Sequence, residues 1–307
     1  METGARAAPC RRPIWPWAVA AAALLVAVIA ALAVIRPWRP PAAGLPVLSI
    51  EAILADQPIE MRIFRLDQNP KIIVLDFPDL HEQARMFDRI GVFVEKTGNP
   101  HDRPLSDSAL ESAIRRLGDT YDTLYYGHDY RASDLLRFFA AADSNGVTLN
   151  DAEQRLRALL KQLGWKDARA EGAIITLPRA GSASDIDART REIILRHELS
   201  HGEYFTSEAY ADFVHNFWRD ALSDAEREKF RAFLGKDGYD TGVEDLMMNE
   251  AQAYMMFTPK SEFFDPSLLG IPKDRLDALR LAFYVGMPHN WLRDQVTDPP
   301  HPPKPPQ

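Results

Sequence analysis

Short runs rich in Ile, Leu, Val and Phe occupy residues 59–66 and 71–77, with Asp67, Gln68, Asn69 and Pro70 between them. Runs of this kind bounded by turn residues predict two strands joined as a hairpin. At 105–117 the apolar spacing shifts to three and four, the period of a helix. Asn150 with Glu153 three residues later has the logic of a capping box and opens another helix, running to about Gly164. Residues 172–177 read as a short apolar strand. Beyond them helical patterns dominate, at 188–201, 207–218, 223–234, 243–257 and 273–284. Gly202 stands where the first of these is expected to end. No internal repeat is evident. The pattern predicts an α+β fold, mainly α-helical, with a small N-terminal sheet.

The longest apolar stretch lies ahead of these elements. Residues 17–35 run for 19 positions without a charge, long enough to cross a bilayer as a helix. Arg6, Arg11 and Arg12 precede it, Arg36 and Arg39 follow, and Trp15, Trp17 and Trp38 lie near its ends. The basic leading segment predicts the N-terminus on the cytoplasmic side. The expected organisation is a cytoplasmic N-terminus (1–16), a transmembrane signal-anchor (17–35), a linker (36–46), a periplasmic or extracellular domain (47–297) and a Pro-rich disordered tail (298–307). A cleaved signal peptide with Ala31-Leu32-Ala33 as its processing site is the alternative.

Composition narrows the partners. Cys10 is the only cysteine, so no disulfide forms within the chain and the domain must depend on its core and on metal. Residues 1–39 hold five arginines and one glutamate, which leaves 31 basic against 43 acidic side chains in the remainder. That balance argues against nucleic acid and anionic membrane surfaces as partners of the domain.

The candidate chemistry is concentrated in His197-Glu198-Leu199-Ser200-His201. Two histidines four apart lie one above the other on a helix, so both imidazoles can reach one ion. Glu198 projects beside that ion, where a carboxylate can take a proton from water. Residues 188–201 contain no Pro or Gly, and Ile194, His197 and His201 share a face. The charges at Arg189, Arg191, Glu192 and Arg196 would equally suit a surface helix with an incidental pair of histidines.

H-E-x-x-H is the zinc-hydrolase arrangement, and a catalytic zinc needs a third protein ligand. Glu250 is the leading candidate, in a segment rich in helix formers where Ala251 and Ala253 would allow close helix approach. Glu244, Asp245 and Glu208 are its rivals. Together the two segments resemble the gluzincin class of zinc metallopeptidases, in which the third ligand is a glutamate on a second helix. The resemblance spans roughly residues 172–257. It implies a two-lobed zincin-like domain, Zn2+ held by His197, His201 and Glu250, Glu198 as general base, and a peptide or protein as substrate. Glu203 is charged where the extended signature has an apolar residue, and the interval from His201 to Glu250 exceeds that of the thermolysin branch. By the same analogy, strand 172–177 would form the cleft edge on which an extended peptide pairs.

An oxyanion generated in such a site needs a second donor. Tyr254, one turn beyond Glu250, is the first choice, with Tyr204, Tyr210 and His289 as alternatives. Asp143-Ser144-Asn145-Gly146 is a plain turn, since its Gly falls at the fourth position where a calcium loop needs it at the sixth. The aromatic segment 125–130, with His128 beside Asp129, is a candidate cleft wall, though a loop histidine packed by aromatics is the simpler reading. The competing functional class is a membrane-anchored binding domain with structural zinc or none. Hydrolysis of a non-peptide amide would use the same residues.

Overall fold

A computed structural model describes residues 44–167, 169–259, 264–296 and 298–299. The expected membrane segment 17–35 and all but the start of the Pro-rich tail lie outside the described residues. Among those described, no helix is long and apolar enough to cross a membrane.

A five-stranded mixed sheet lies at the centre, in the order β1-β2-β3-β5-β4. It comprises β1 (Val47–Leu48), β2 (Arg62–Leu66), β3 (Ile72–Phe77), β4 (Asp129–Arg131) and β5 (Ala173–Pro178). The predicted hairpin is present: β2 and β3 pair antiparallel across the Asp67–Pro70 turn, with Phe64 opposite Val74. It starts later than the hydropathy suggested, and Ile59 is 93% exposed. β3 and β5 pair in parallel and are buried at every position, as strands covered on both faces must be.

Alternation along β3 divides the two faces. Ile72 and Val74 pack into the core with Leu195 and Leu199 of α6 (Ala188–Thr206). Phe77 meets Phe87 of α2 (Leu80–Val94) edge-on at 6.2 Å. Behind α2 lie α3 (Asp107–Leu117), α4 (Ala132–Ser144) and α5 (Asp151–Gln162), the last with the predicted capping box between Asn150 and Glu153. Against α6 pack α7 (Glu208–Asp220) and α9 (Glu244–Met256), while α1 (Ile50–Ala55) meets its first turns; α8 (Asp224–Lys236) packs on α9, and α10 (Lys273–Gly286) meets α7 through Phe283.

Three expectations are corrected. β5 is an inner strand, paired with β3 on one side and β4 on the other, so the edge beside the site belongs to β4. Gly202 does not end α6, which continues to Thr206. A Cβ at Gly202 would lie 2.9 Å from Cδ1 of Ile72, so the glycine lets the helix lie close on the sheet. Arg191 is no surface charge. It is buried and forms a bidentate pair with Asp76, both contacts 2.8 Å, while also donating to the carbonyls of Pro178 and Ile53. Those bonds tie the first turns of α6 to β3, β5 and α1. Helices α1, α2 and α4 and strands β1 and β4 were not foreseen.

Candidate metal centre

His197, Glu198 and His201 sit midway along α6, whose N-terminus is capped by Asp187. Their register is held by α9. Tyr210 donates to Gln252 at 2.7 Å, Gln252 to Ser200 at 3.0 Å, and Ser200 to the His197 carbonyl at 2.7 Å. This buried chain ties α9 to α6 and α7 and brings Glu250 opposite the histidines.

Oε2 of Glu250 lies 3.8 Å from Nε2 of His197 and 3.9 Å from Nε2 of His201. The imidazole centroids are 4.7 Å apart. One nitrogen or oxygen from each residue falls within 4.8 Å of the others, close enough to share an ion. Among the described residues, Glu250 Oε2 and both ring nitrogens of His201 are buried with no hydrogen-bond partner, as is Oε2 of Glu198. Buried polar atoms are ordinarily satisfied, and a cation shared by His197, His201 and Glu250 would satisfy the converging ones. Two imidazoles and a carboxylate with room for a fourth ligand suit zinc.

The protonation states point the same way. Burial holds His197 well below the usual histidine range, reinforced by His201, and burial also lowers His201; both are neutral imidazoles, the ligand form. Burial pushes Glu250 up to about 8, and neighbouring Asp129 and Glu95 add to the rise. Glu198 is raised by burial and then by Asp129, Glu250 and Glu95, and Asp129 by burial. Carboxylates crowded in a buried space disfavour one another's charge. A divalent cation offsets that repulsion.

Two residues outside the motif face the Nδ1 atoms of its histidines. Thr258, just past α9, lies 2.7 Å from Nδ1 of His197 and donates its own proton to the Ala253 carbonyl at 3.1 Å. Asp129 of β4 approaches Nδ1 of His201 at 3.6 Å and accepts from Asn249 at 3.4 Å. Asp129, Glu198 and His201 form a second grouping of potential ligand atoms. Neither Asp129 nor Thr258 was singled out by spacing. The acidic residue inside the aromatic run 125–130 was the only local signal.

Glu198 borders a cavity of about 370 Å3 whose walls include His197, Tyr254, Tyr126, Gly127, Lys96 and Tyr239. Gly127 presses on Glu198 so closely that a Cβ there would lie 2.2 Å from Oε1. His128 is buried among Phe87, Tyr125 and Tyr130, the packed-histidine reading.

Of the oxyanion candidates, Tyr254 lines the cavity beside His197. Its ring meets His197 edge-on at 4.9 Å, and burial keeps its phenol protonated and able to donate. Tyr204 is committed to Asp245 and His215 on another face, Tyr210 to Gln252, and His289 is exposed. The rivals of Glu250 are also elsewhere. Glu244 pairs with Arg231, Asp245 with Arg131, and Glu208 is exposed.

No protein family, no curated protein and no solved structure matches the chain.

Proposed function

We propose that this chain is a gluzincin-type zinc peptidase, a zincin-like domain that hydrolyses peptide bonds with Glu198 as general base. The observation that carries the reading is the meeting of His197, His201 and Glu250 from two helices, with buried atoms of His201 and Glu250 unpartnered, beside a cavity that Glu198 lines. A zinc ion held by those three residues would supply Lewis acidity, lowering the pKa of water toward neutrality and polarising a substrate carbonyl. Glu198 accepts the proton of the attacking water and returns it to the leaving amine. Burial raises the affinity of its carboxylate for that proton. Tyr254, a protonated donor beside His197, stabilises the oxyanion. Residues 17–35 anchor the domain in the membrane, and its peptide or protein substrates lie on the periplasmic or extracellular side.

The test is zinc content and hydrolysis of a peptide library by wild type, Glu250→Ala and Glu198→Gln. About one zinc per chain in wild type, a clear loss in Glu250→Ala, and full zinc without turnover in Glu198→Gln are expected. Wild type that binds no zinc, or zinc-loaded protein that cleaves no peptide, would refute the reading.

A further inference from the structure

Lys96 is a buried lysine in the wall of this cavity that the chemistry above does not use; burial lowers its pKa, and the carboxylates of Glu95 and Glu250 oppose that fall and favour the ammonium. It follows the C-cap of α2, and a short backbone clasp fixes it there. Lys96 bridges Tyr239 antiparallel, Thr97 N–H donates to the Gly238 carbonyl at 3.0 Å, and Asp240 N–H to the Glu95 carbonyl at 2.7 Å. Nζ donates to the Asp237 carbonyl at 2.8 Å and lies 4.1 Å from the centre of the Tyr239 ring and 4.7 Å from that of Tyr125. The residue is 3% exposed. Among the described residues it makes no ion pair.

An ammonium carries three donors, and a single protein oxygen engages this one. The two aromatic faces attract the cation without neutralising it. Asp119, Lys236 and Asp237 line the same cavity but are more exposed, and Glu95 is the nearest acidic neighbour in the chain. Tyr239 lies under Lys96 and Tyr254 against His197, and all four line the one cavity of about 370 Å3. A cavity of that size takes extended chain, at about 3.3 Å per residue.

We infer that Lys96 forms a carboxylate-binding subsite of this cavity, receiving the free C-terminus or an acidic side chain of a peptide whose scissile bond lies at the metal centre. This rests on the peptidase reading for the identity of the ligand. The donated bond is charge-assisted on both sides, the stronger kind.

Full-length Glu198→Gln protein loaded with zinc is titrated with matched peptides that differ only in a free or amidated C-terminus, and with a second pair carrying internal Glu or Gln. The subsite predicts that one carboxylate member of a pair binds about tenfold tighter or more than its neutral twin. The pair that discriminates identifies the source of the carboxylate. The ratio falls to about one in Lys96→Met and persists in Lys96→Arg, with melting temperature and zinc content measured alongside. Equal binding within both pairs while Lys96 is intact, binding of no peptide at all, or a ratio unchanged in folded Lys96→Met would overturn the inference. Hydrolysis by protein retaining Glu198 is assayed separately. Discrimination without hydrolysis would keep the subsite and sink the peptidase; hydrolysis without discrimination would do the reverse.

Discussion

Thr258 lies 2.7 Å from Nδ1 of His197 and, with its own proton directed to the Ala253 carbonyl, accepts a hydrogen bond from the ring. His197 is therefore protonated on Nδ1 and presents the lone pair of Nε2 toward Glu250. Partners of this kind hold both the tautomer and the ring orientation of a metal-binding histidine. Thr258→Val removes the acceptor at nearly constant volume. Zinc affinity should fall about 10- to 100-fold, measured by competition with a chromogenic chelator, while the fold is retained.

Gly127 is the place where a backbone passes against the proposed base. With a Cβ 2.2 Å from Oε1 of Glu198, Gly127→Ala must displace either the loop before β4 or the carboxylate. Misplacing a reacting group by about 1 Å can cost on the order of 100-fold in rate. Peptide hydrolysis should drop by that order with zinc content unchanged. Wild-type turnover in Gly127→Ala would show that Glu198 does not act from this position.

Metal removal should destabilise the domain. Any ligand bound only by the native state adds stability, about 4 kcal/mol at a concentration 1,000 times its dissociation constant. In this centre it also relieves the crowding of Glu198, Glu250 and Asp129. Chelation should lower the melting temperature of wild type reversibly. Glu250→Gln, with one ligand gone, should respond little to chelator or added zinc.

Asp76 makes stability depend on pH in a defined window. Burial raises its pKa from 3.8 to about 6 in spite of the Arg191 guanidinium. The folded state thus binds the proton more tightly than the unfolded chain. The associated stabilisation is complete below the unfolded value and is lost as pH rises through about 6. The stability of wild type relative to Asp76→Asn should decline by about 3 kcal/mol between roughly pH 4 and pH 6, then level off. Urea titrations of both proteins across that range measure it, and a difference that grows with pH would contradict the assignment.

Local spacing made His197, Glu198 and His201 legible, because a helix alone brings positions four apart together. Glu250 could be proposed because helix formers and small residues surround it. Asp129 and Thr258 reach the centre only through tertiary structure, one from a three-residue edge strand and the other from beyond a helix end, so periodicity carries no trace of them. Helix α2 was hidden for a different reason. Its buried residues include Gln83, Asp88, Arg89 and Gly91, which break the apolar stripe on which helix recognition depends. Arg191 looked like a surface charge because its partner, Asp76, is distant in the chain and lies in the sheet. Glu203, out of place against the extended signature, is explained by its buried bonds to Asn69, Asn290 and Trp291.

Those bonds of Glu203 also bear on how the molecule is made. The last turns of α6 are tied to the first hairpin through Asn69 and to the 3-10 turn at Trp291–Gln295 through Asn290 and Trp291. During synthesis the helix can find its hairpin anchor early, but its second anchor lies 87 residues further along the chain. A growing chain therefore cannot lock this helix until Asn290 and Trp291 have left the ribosome. Final rigidity at the histidines comes only after that second anchor has emerged.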